Sequence, residues 1–181
     1  MTVWKSRGLR GDALEDLIIA TNEFYKKQGL GRIDKINTPI KVIELGKDGM
    51  ITKAFFEKKS TVDFTGVIQG IAVAFDAKET NLKSIPISNI HQHQIEYMKD
   101  ITDQKGLAFI IIHFKFCDEY FLTPFEVINK YYQDSLSGKR KSIPYKDLDQ
   151  RYRINRTKNG IIDYISTLNI YLNDKKSGSF L

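Results

Sequence analysis

One cysteine, Cys117, in 181 residues excludes an internal disulfide and suits a reducing compartment. No apolar run approaches the ~20 residues that span a bilayer. The first ten residues also lack the apolar stretch of a secretory leader. A soluble cytoplasmic protein with no membrane partner is the expectation. Histidine is scarce too. His91 and His93 stand two apart, so on a helix they do not share a face, and neither has a third His or Cys nearby in sequence. That argues against zinc, while His113, in an apolar stretch, reads as a hydrogen-bonded core histidine. Gly66 and Gly70 are followed by no phosphate-loop Lys-Ser/Thr and read as turn glycines. Cys117 sits in no motif that supports a nucleophile. Repeats, low-complexity tracts and interdomain linkers are absent, so residues 1–181 read as one domain.

What is present is moderately basic. Lys and Arg number 28 against 22 Asp and Glu, a net charge of +6. Such an excess suits a polyanionic partner without demanding one. A hydrophobic fraction of 41% and a charged fraction of 28% are globular values, and the length suits a sizeable core.

The pattern along the chain is mixed α/β. Asp12 and Glu15 form a capping pattern. Leu14, Leu17, Ile18, Thr21, Phe24 and Tyr25 then keep helical spacing to Gln28, and Gly29 and Gly31 end the helix. Apolar stretches at 39–45 and 50–57 flank Gly46-Lys47-Asp48-Gly49 and predict a hairpin. A second helix starting near Ser88 or Asn89 and stopping at Gly106 would bury Ile95, Met98 and Ile101. Residues 107–114 form a continuous apolar run, a buried strand, with a shorter strand at 119–122. Thr123-Pro124-Phe125-Glu126 combines an N-cap, a first-turn proline and a capping glutamate. A last helix carries Ile161, Ile162, Ile165, Leu168 and Leu172, and the tail at 174–181 is expected to fray.

The chemistry concentrates in one further hairpin. Between Asp63 and Asp76-Ala77-Lys78 lies a segment rich in Val, Ile, Phe and Ala. It reads as two strands joined by a Gln69-Gly70 turn. That turn sets Asp63 opposite Asp76, and strand alternation puts Asp76 and Lys78 on one face. A slip of one residue would separate the acids. Two carboxylates beside an ammonium suit Mg²⁺-dependent phosphodiester cleavage, because Mg²⁺ takes one or two carboxylates and keeps several waters. An ordinary Asp–Lys ion pair on a half-exposed hairpin is the simpler alternative.

Asp63 followed by Asp76-Ala77-Lys78 resembles the core of the PD-(D/E)XK nuclease superfamily. More of the chain is similar to the RecU family of Holliday junction resolvases. The resemblance rests on Arg7-Gly8, Leu14-Glu15-Asp16, Thr21-Asn22, Ser60-Thr61-Val62-Asp63, Asp76-Ala77-Lys78-Glu79-Thr80, His93-Gln94-Ile95-Glu96, Tyr120-Phe121-Leu122 and Gly138-Lys139-Arg140-Lys141-Ser142-Ile143, in the family's order. It implies a restriction-endonuclease-like core, a central mixed sheet flanked by helices, with residues 37–57 as a projecting β-hairpin stalk. Composition alone would call that segment an ordinary hairpin.

The resemblance also implies site residues. Asp63, Asp76 and Lys78 would be catalytic, and Thr61, Asp63, Asp76 and Gln94 would hold Mg²⁺, with Mn²⁺ as a substitute. The family pattern has Glu where this chain has Asp76, a side chain one methylene shorter. Glu15 matches an acidic family position, but helix capping already accounts for it. Lys41, Lys47 and Lys53 on the stalk would face DNA, though lysines also blunt edge strands. Lys139, Arg140 and Lys141 would engage phosphates or form a solvated charge run. Arg7 and Arg10 lie in a flexible basic arm, residues 1–11, that would gain order on DNA or is simply an irregular start. The implied activity is cleavage of four-way junctions by a homodimer associated with the nucleoid and in contact with a recombinase. The alternatives are a structure-selective or duplex nuclease of a mobile element and a non-cleaving, DNA-binding modulator of recombination.

Overall fold

The computed structural model describes residues 13–56 and 61–178. Helix α1 (Ala13–Lys27) leads through a turn at Gly29 into strand β1 (Gly31–Lys35). A hairpin follows, β2 (Ile40–Leu45) and β3 (Ile51–Phe56), then β4 (Phe64–Ile68), β5 (Ile71–Thr80) and the short β6 (Ser84–Pro86). Helix α2 (Gln92–Asp103) connects to β7 (Leu107–Phe114), β8 (Glu119–Pro124) and helix α3 (Phe125–Leu136). The chain closes with β9 (Ser142–Pro144), β10 (Arg153–Ile154) and helix α4 (Tyr164–Ser177).

Six strands form one mixed sheet in the order β1-β4-β5-β7-β8-β10. Its parallel pair is β5–β7, bridged by α2, and the other neighbours run antiparallel. The alternation in β5 and β7 explains why the sheet is covered on both faces. Val73, Phe75, Ala77, Leu107, Phe109 and Ile111 pack in the core beneath α1 and α4. Ala74, Ala108, Ile110, Ile112 and Phe114 point the other way, towards α2 and α3. A strand buried on both sides must read as an unbroken apolar run, as β7 does. Across the first core Phe64, Phe75 and Phe109 stack at 5.0 and 4.7 Å, and Tyr164 of α4 leans on Phe75 at 5.5 Å.

Several sequence expectations are corrected. Strand β1 has no counterpart among them, because its one inward residue, Ile33, shows no alternation. Gly66 lies inside β4 rather than in a turn. A side chain there would meet the Arg32 carbonyl at 2.1 Å, so glycine lets β1 approach. The segment at 87–89 is a separate 3-10 turn, and α2 begins only after His91. Helix α3 is capped at Pro124, leaving Thr123 in the strand, and the Thr123 hydroxyl is buried with no partner among the described residues. Ile161 and Ile162 precede α4, whose N-cap is Asp163. The tail does not fray at Asn173. Asp174 is buried, bonded by the Tyr152 hydroxyl at 2.5 Å, and α4 continues to Ser177, where Gly178 takes up the left-handed C-terminal turn. Asp12 and the arm with Arg7 and Arg10 lie outside the described residues.

Candidate active site

The β4–β5 turn decides the site. Gln69 and Gly70 both have positive φ, 47° and 84°, as a two-residue hairpin turn of this hand requires. Phe64 pairs with Phe75 and Ile68 with Ile71, so the next row outward sets Asp63 against Asp76. Strand β4 ends at Phe64 while β5 runs on to Thr80. The Ala77 N–H, past the end of the β4 ladder, donates to Asp63 Oδ2 at 2.9 Å. Asp63 thus extends the β4–β5 ladder by one bond through a carboxylate oxygen. Its backbone carbonyl accepts from Ile36 N at 2.8 Å, which ties it to the strand before the β2–β3 hairpin.

Asp76 is fully buried. Lys78 donates to its Oδ1 at 2.5 Å, and Gln94 Nε2 donates to its Oδ2. Burial holds the Asp76 carboxyl well above the usual carboxylate range; Lys78 opposes the rise and the nearby Asp63 adds to it. Gln94 arrives from the first turn of α2, where its Oε1 accepts from His91 N at 3.0 Å. The amide is therefore clamped between the helix start and the acid.

The donor set fits a hard divalent cation. Two carboxylates lie side by side, the buried one is disfavoured as a lone anion, and hard oxygen chemistry needs no imidazole or thiolate. No group of three His, Cys, Asp or Glu side chains suited to a metal occurs among the described residues. Thr61 is half-buried in the segment entering β4, two residues before Asp63.

The structure brings Asp63, Asp76, Lys78 and Gln94 together. Lys41, Lys47 and Lys53 are exposed on the β2–β3 hairpin. Lys139 pairs with Asp134 at 3.1 Å and Arg140 with Asp147 at 2.5 Å. The Lys141 carbonyl accepts from Ile87 N at 2.9 Å, close ahead of the helix that carries Gln94. Sequence reasoning missed Lys35, which neighbours Phe64 across the ladder and bonds Glu15 of α1. An unrecognised edge strand hides such a residue. His113 is half-buried between Glu79 and Asp118 and stacked on Tyr120 at 4.2 Å. Burial pushes the Cys117 thiol up, so it gains no nucleophilic character.

A mixed sheet with acid, acid and lysine grouped on one hairpin, supported by an amide from the crossover helix, is an arrangement suited to a nuclease centre. The family described as Recombination protein U matches residues 9–170, and the chain belongs to that family. It is 39% identical over 146 residues to Holliday junction resolvase RecU of Staphylococcus epidermidis, covering 78% of this chain and 70% of that one. The protein of the same name from Staphylococcus aureus is 37% identical over 177 residues, covering 93% and 84%, and that of Leuconostoc citreum 36% over 170 residues, covering 91% and 82%. Among solved structures, the Holliday junction resolvase Hjc of Archaeoglobus fulgidus aligns over 87% of this chain and 99% of that one, with 10% identity and a TM-score of 0.45.

Proposed function

We propose that this chain is a divalent-metal-dependent endonuclease that cleaves four-way DNA junctions as a homodimer. The observation that carries the reading is the Asp63–Asp76–Lys78–Gln94 cluster in a chain of the Recombination protein U family, whose curated relatives are named Holliday junction resolvases. Asp63 and Asp76, with Thr61 and Gln94 beside them, would hold Mg²⁺, or Mn²⁺ in its place. When bound, the ion supplies charge to the phosphate and lowers the pKa of an attacking water. The chain's own groups do the rest. Lys78 holds its ammonium beside Asp76 at the edge of the site, placed to meet charge that builds on the phosphoryl oxygens as the water–phosphorus bond forms and the leaving oxygen departs. Asp63 keeps one oxygen on the Ala77 N–H, beside the Asp76 carboxyl. Gln94 fixes the rotamer of Asp76, and a turn of its amide would present oxygen instead of nitrogen to the site.

The β2–β3 hairpin supports the choice of substrate. All of its strand residues are exposed, and it mixes Lys41, Lys47 and Lys53 with apolar side chains such as Leu45 and Phe56, 61% and 73% exposed. Lysines suit phosphates, and apolar surface of that extent suits the centre of an opened junction or a second copy of the chain. A two-fold dimer meets the symmetry of a four-way junction with one site per cleaved strand. A recombinase contact and the basic arm with Arg7 and Arg10 belong to the same reading.

The test is cleavage of synthetic four-way junctions, linear duplexes and flaps by the purified protein, with and without Mg²⁺. Symmetric cuts in junctions that require the ion are expected. Preference for duplex or flap would point to another nuclease specificity, and junction binding without cutting under any divalent ion to a DNA-binding modulator. Either outcome overturns the proposal.

A further inference from the structure

Beyond the catalytic cluster, two loops meet at the same end and on the same face of the sheet. Asp76 is the register partner of Ile110, which belongs to the core beneath α2 and α3, so Asp76 and Lys78 open on that side. The β5–β7 ladder continues past Lys78 to Thr80, whose carbonyl accepts from Lys115 N at 2.9 Å. Just beyond lies the β7–β8 turn with Phe116, and beside it the β5–β6 loop with Leu82 and Lys83. Phe116 is 42% exposed and Leu82 60%. Phe116 packs edge-to-face on Tyr145 at 5.3 Å and on Phe114 at 6.1 Å, both on the α2–α3 side. The Lys83 ammonium stands over the Phe116 ring, 6.0 Å from its centre.

Neither loop is slack. The Thr80 hydroxyl accepts from Leu82 N at 3.0 Å and donates to the Ser84 carbonyl at 3.4 Å. Tyr145 N donates to the Lys83 carbonyl at 3.0 Å, and Cys117 N to the Phe114 carbonyl at 3.3 Å. A rigid aromatic and an aliphatic side chain are therefore held at the rim of the core, flanked by Lys83 and by Lys115, whose ammonium pairs with Glu79. Two strand residues past Lys78 is about 7 Å, and the loops reach further. With one nucleotide per 3.4 Å of axis along a strand, the pair stands roughly two to three nucleotides from a phosphate bound at Lys78.

We propose that Phe116 and Leu82 form a wedge that packs against a base opened near the scissile phosphate, with Lys83 on a flanking phosphate. The occupant is the cleaved DNA strand itself, so the inference rests on the proposed nuclease function. The charge of Lys83 and continuity with the acid–lysine cluster favour it, and aromatic faces accept any base without reading its sequence. A junction presents such bases at its exchange point, where stacking on one side is already broken. The wedge would bias cleavage towards the branch.

The experiment places 2-aminopurine at each of the four nucleotides on either side of the mapped cut and follows its fluorescence on binding in metal-free buffer. The wild-type protein should change the signal at one or two adjacent positions. Phe116→Ala should abolish that change and weaken junction binding roughly tenfold, as removal of one base–aromatic stack predicts, while Phe116→Tyr restores both. Leu82→Ala should reduce the signal in part. Lys83→Ala should lower the log–log salt slope by about 0.9 and leave the fluorescent position unchanged. Equal loss on linear duplex and junction, or an unchanged 2-aminopurine signal in a folded Phe116→Ala protein, overturns the wedge. If the wild-type protein neither binds nor cuts junctions, the nuclease reading fails first and the wedge with it. If Phe116→Ala does not fold, Leu82→Ala and Phe116→Tyr decide.

Discussion

The β4–β5 and β2–β3 hairpins are close in sequence and share a simple turn-linked plan, yet they obey different rules. In β4–β5 the register runs unbroken from Phe64–Phe75 to Ile68–Ile71, and Phe64, Ile68, Val73 and Phe75 are buried. In β2–β3 the register shifts between Val42 and Glu44 and again between Glu44 and Leu45, and every strand residue is exposed. A hairpin with a buried face cannot slip without exposing its apolar residues, whereas one exposed on both faces carries no such constraint. The first is fit to hold two carboxylates in fixed positions. The second meets a partner only in the function proposed above.

The sharpest way to break that comparison is to remove a charge from the ordered hairpin. Asp63→Asn and Asp76→Asn should each lower metal-dependent junction cleavage by about 1,000-fold or more, on the order seen when groups acting as a unit are removed. Binding in metal-free buffer should survive, and near-normal cleavage by either variant would remove its residue from the site. Next in size, Lys78→Ala should cost roughly 100- to 1,000-fold in rate with little change in the concentration of metal or DNA needed for half-saturation. Full recovery at saturating metal and DNA would make Lys78 a binding residue.

The exposed hairpin should respond through binding instead. Replacing Lys41, Lys47 and Lys53 with Ala should lower the log–log salt slope of junction binding by about 0.9 for each phosphate left without its lysine, with single-turnover cleavage at saturation nearly intact. Shortening the turn around Lys47-Asp48-Gly49 should weaken junction binding more than duplex binding, with circular dichroism and sedimentation checking fold and oligomeric state. Equal weakening on both substrates would reduce the hairpin to a general phosphate-binding element.

The smallest effect concerns stability. The folded state raises the pKa of Asp76 above its unfolded value, so it holds that proton more tightly than the unfolded chain does. The resulting stability is present in acid and is lost as pH rises from about 4 towards 7. Asn stands in for the neutral acid. In metal-free buffer Asp76→Asn should therefore match the wild type near pH 4 and melt higher at pH 8. The expected gap is about 2–4 °C per kcal/mol for a chain of this size. A gap independent of pH would mean that the carboxyl titrates normally.

Legibility in the sequence follows the same division. The acid-bearing hairpin is readable because two positive-φ turn residues and a buried face leave one register. Strand β7 is readable because burial on both faces leaves an unbroken apolar run at 107–114. What escapes is structure whose order comes from distant partners. Strand β1 offers one buried side chain and depends on Gly66 across the ladder. The last turns of α4 look polar, yet Asp174 is buried because Tyr152 and Arg151 reach it from another segment. Thr123-Pro124 carries a capping pattern, but the strand claims Thr123 first. The role of Gln94 comes from family resemblance. Its spacing fits a helix surface equally well, and only packing of α2 against β5 turns the amide onto Asp76.

The placement of α2 between β5 and β7 has a consequence for the order of assembly. The two acids meet through a two-residue turn, a local event on the microsecond scale. Gln94 and the second wall of the site arrive only when the crossover closes and the parallel ladder from Val73–Leu107 to Thr80–Phe114 has formed. Closing that loop is slow, because its entropy is given up before the long-range pairing compensates for it. The turn that pairs the carboxylates can therefore form early, while the complete Asp63–Asp76–Lys78–Gln94 cluster waits for the crossover to close.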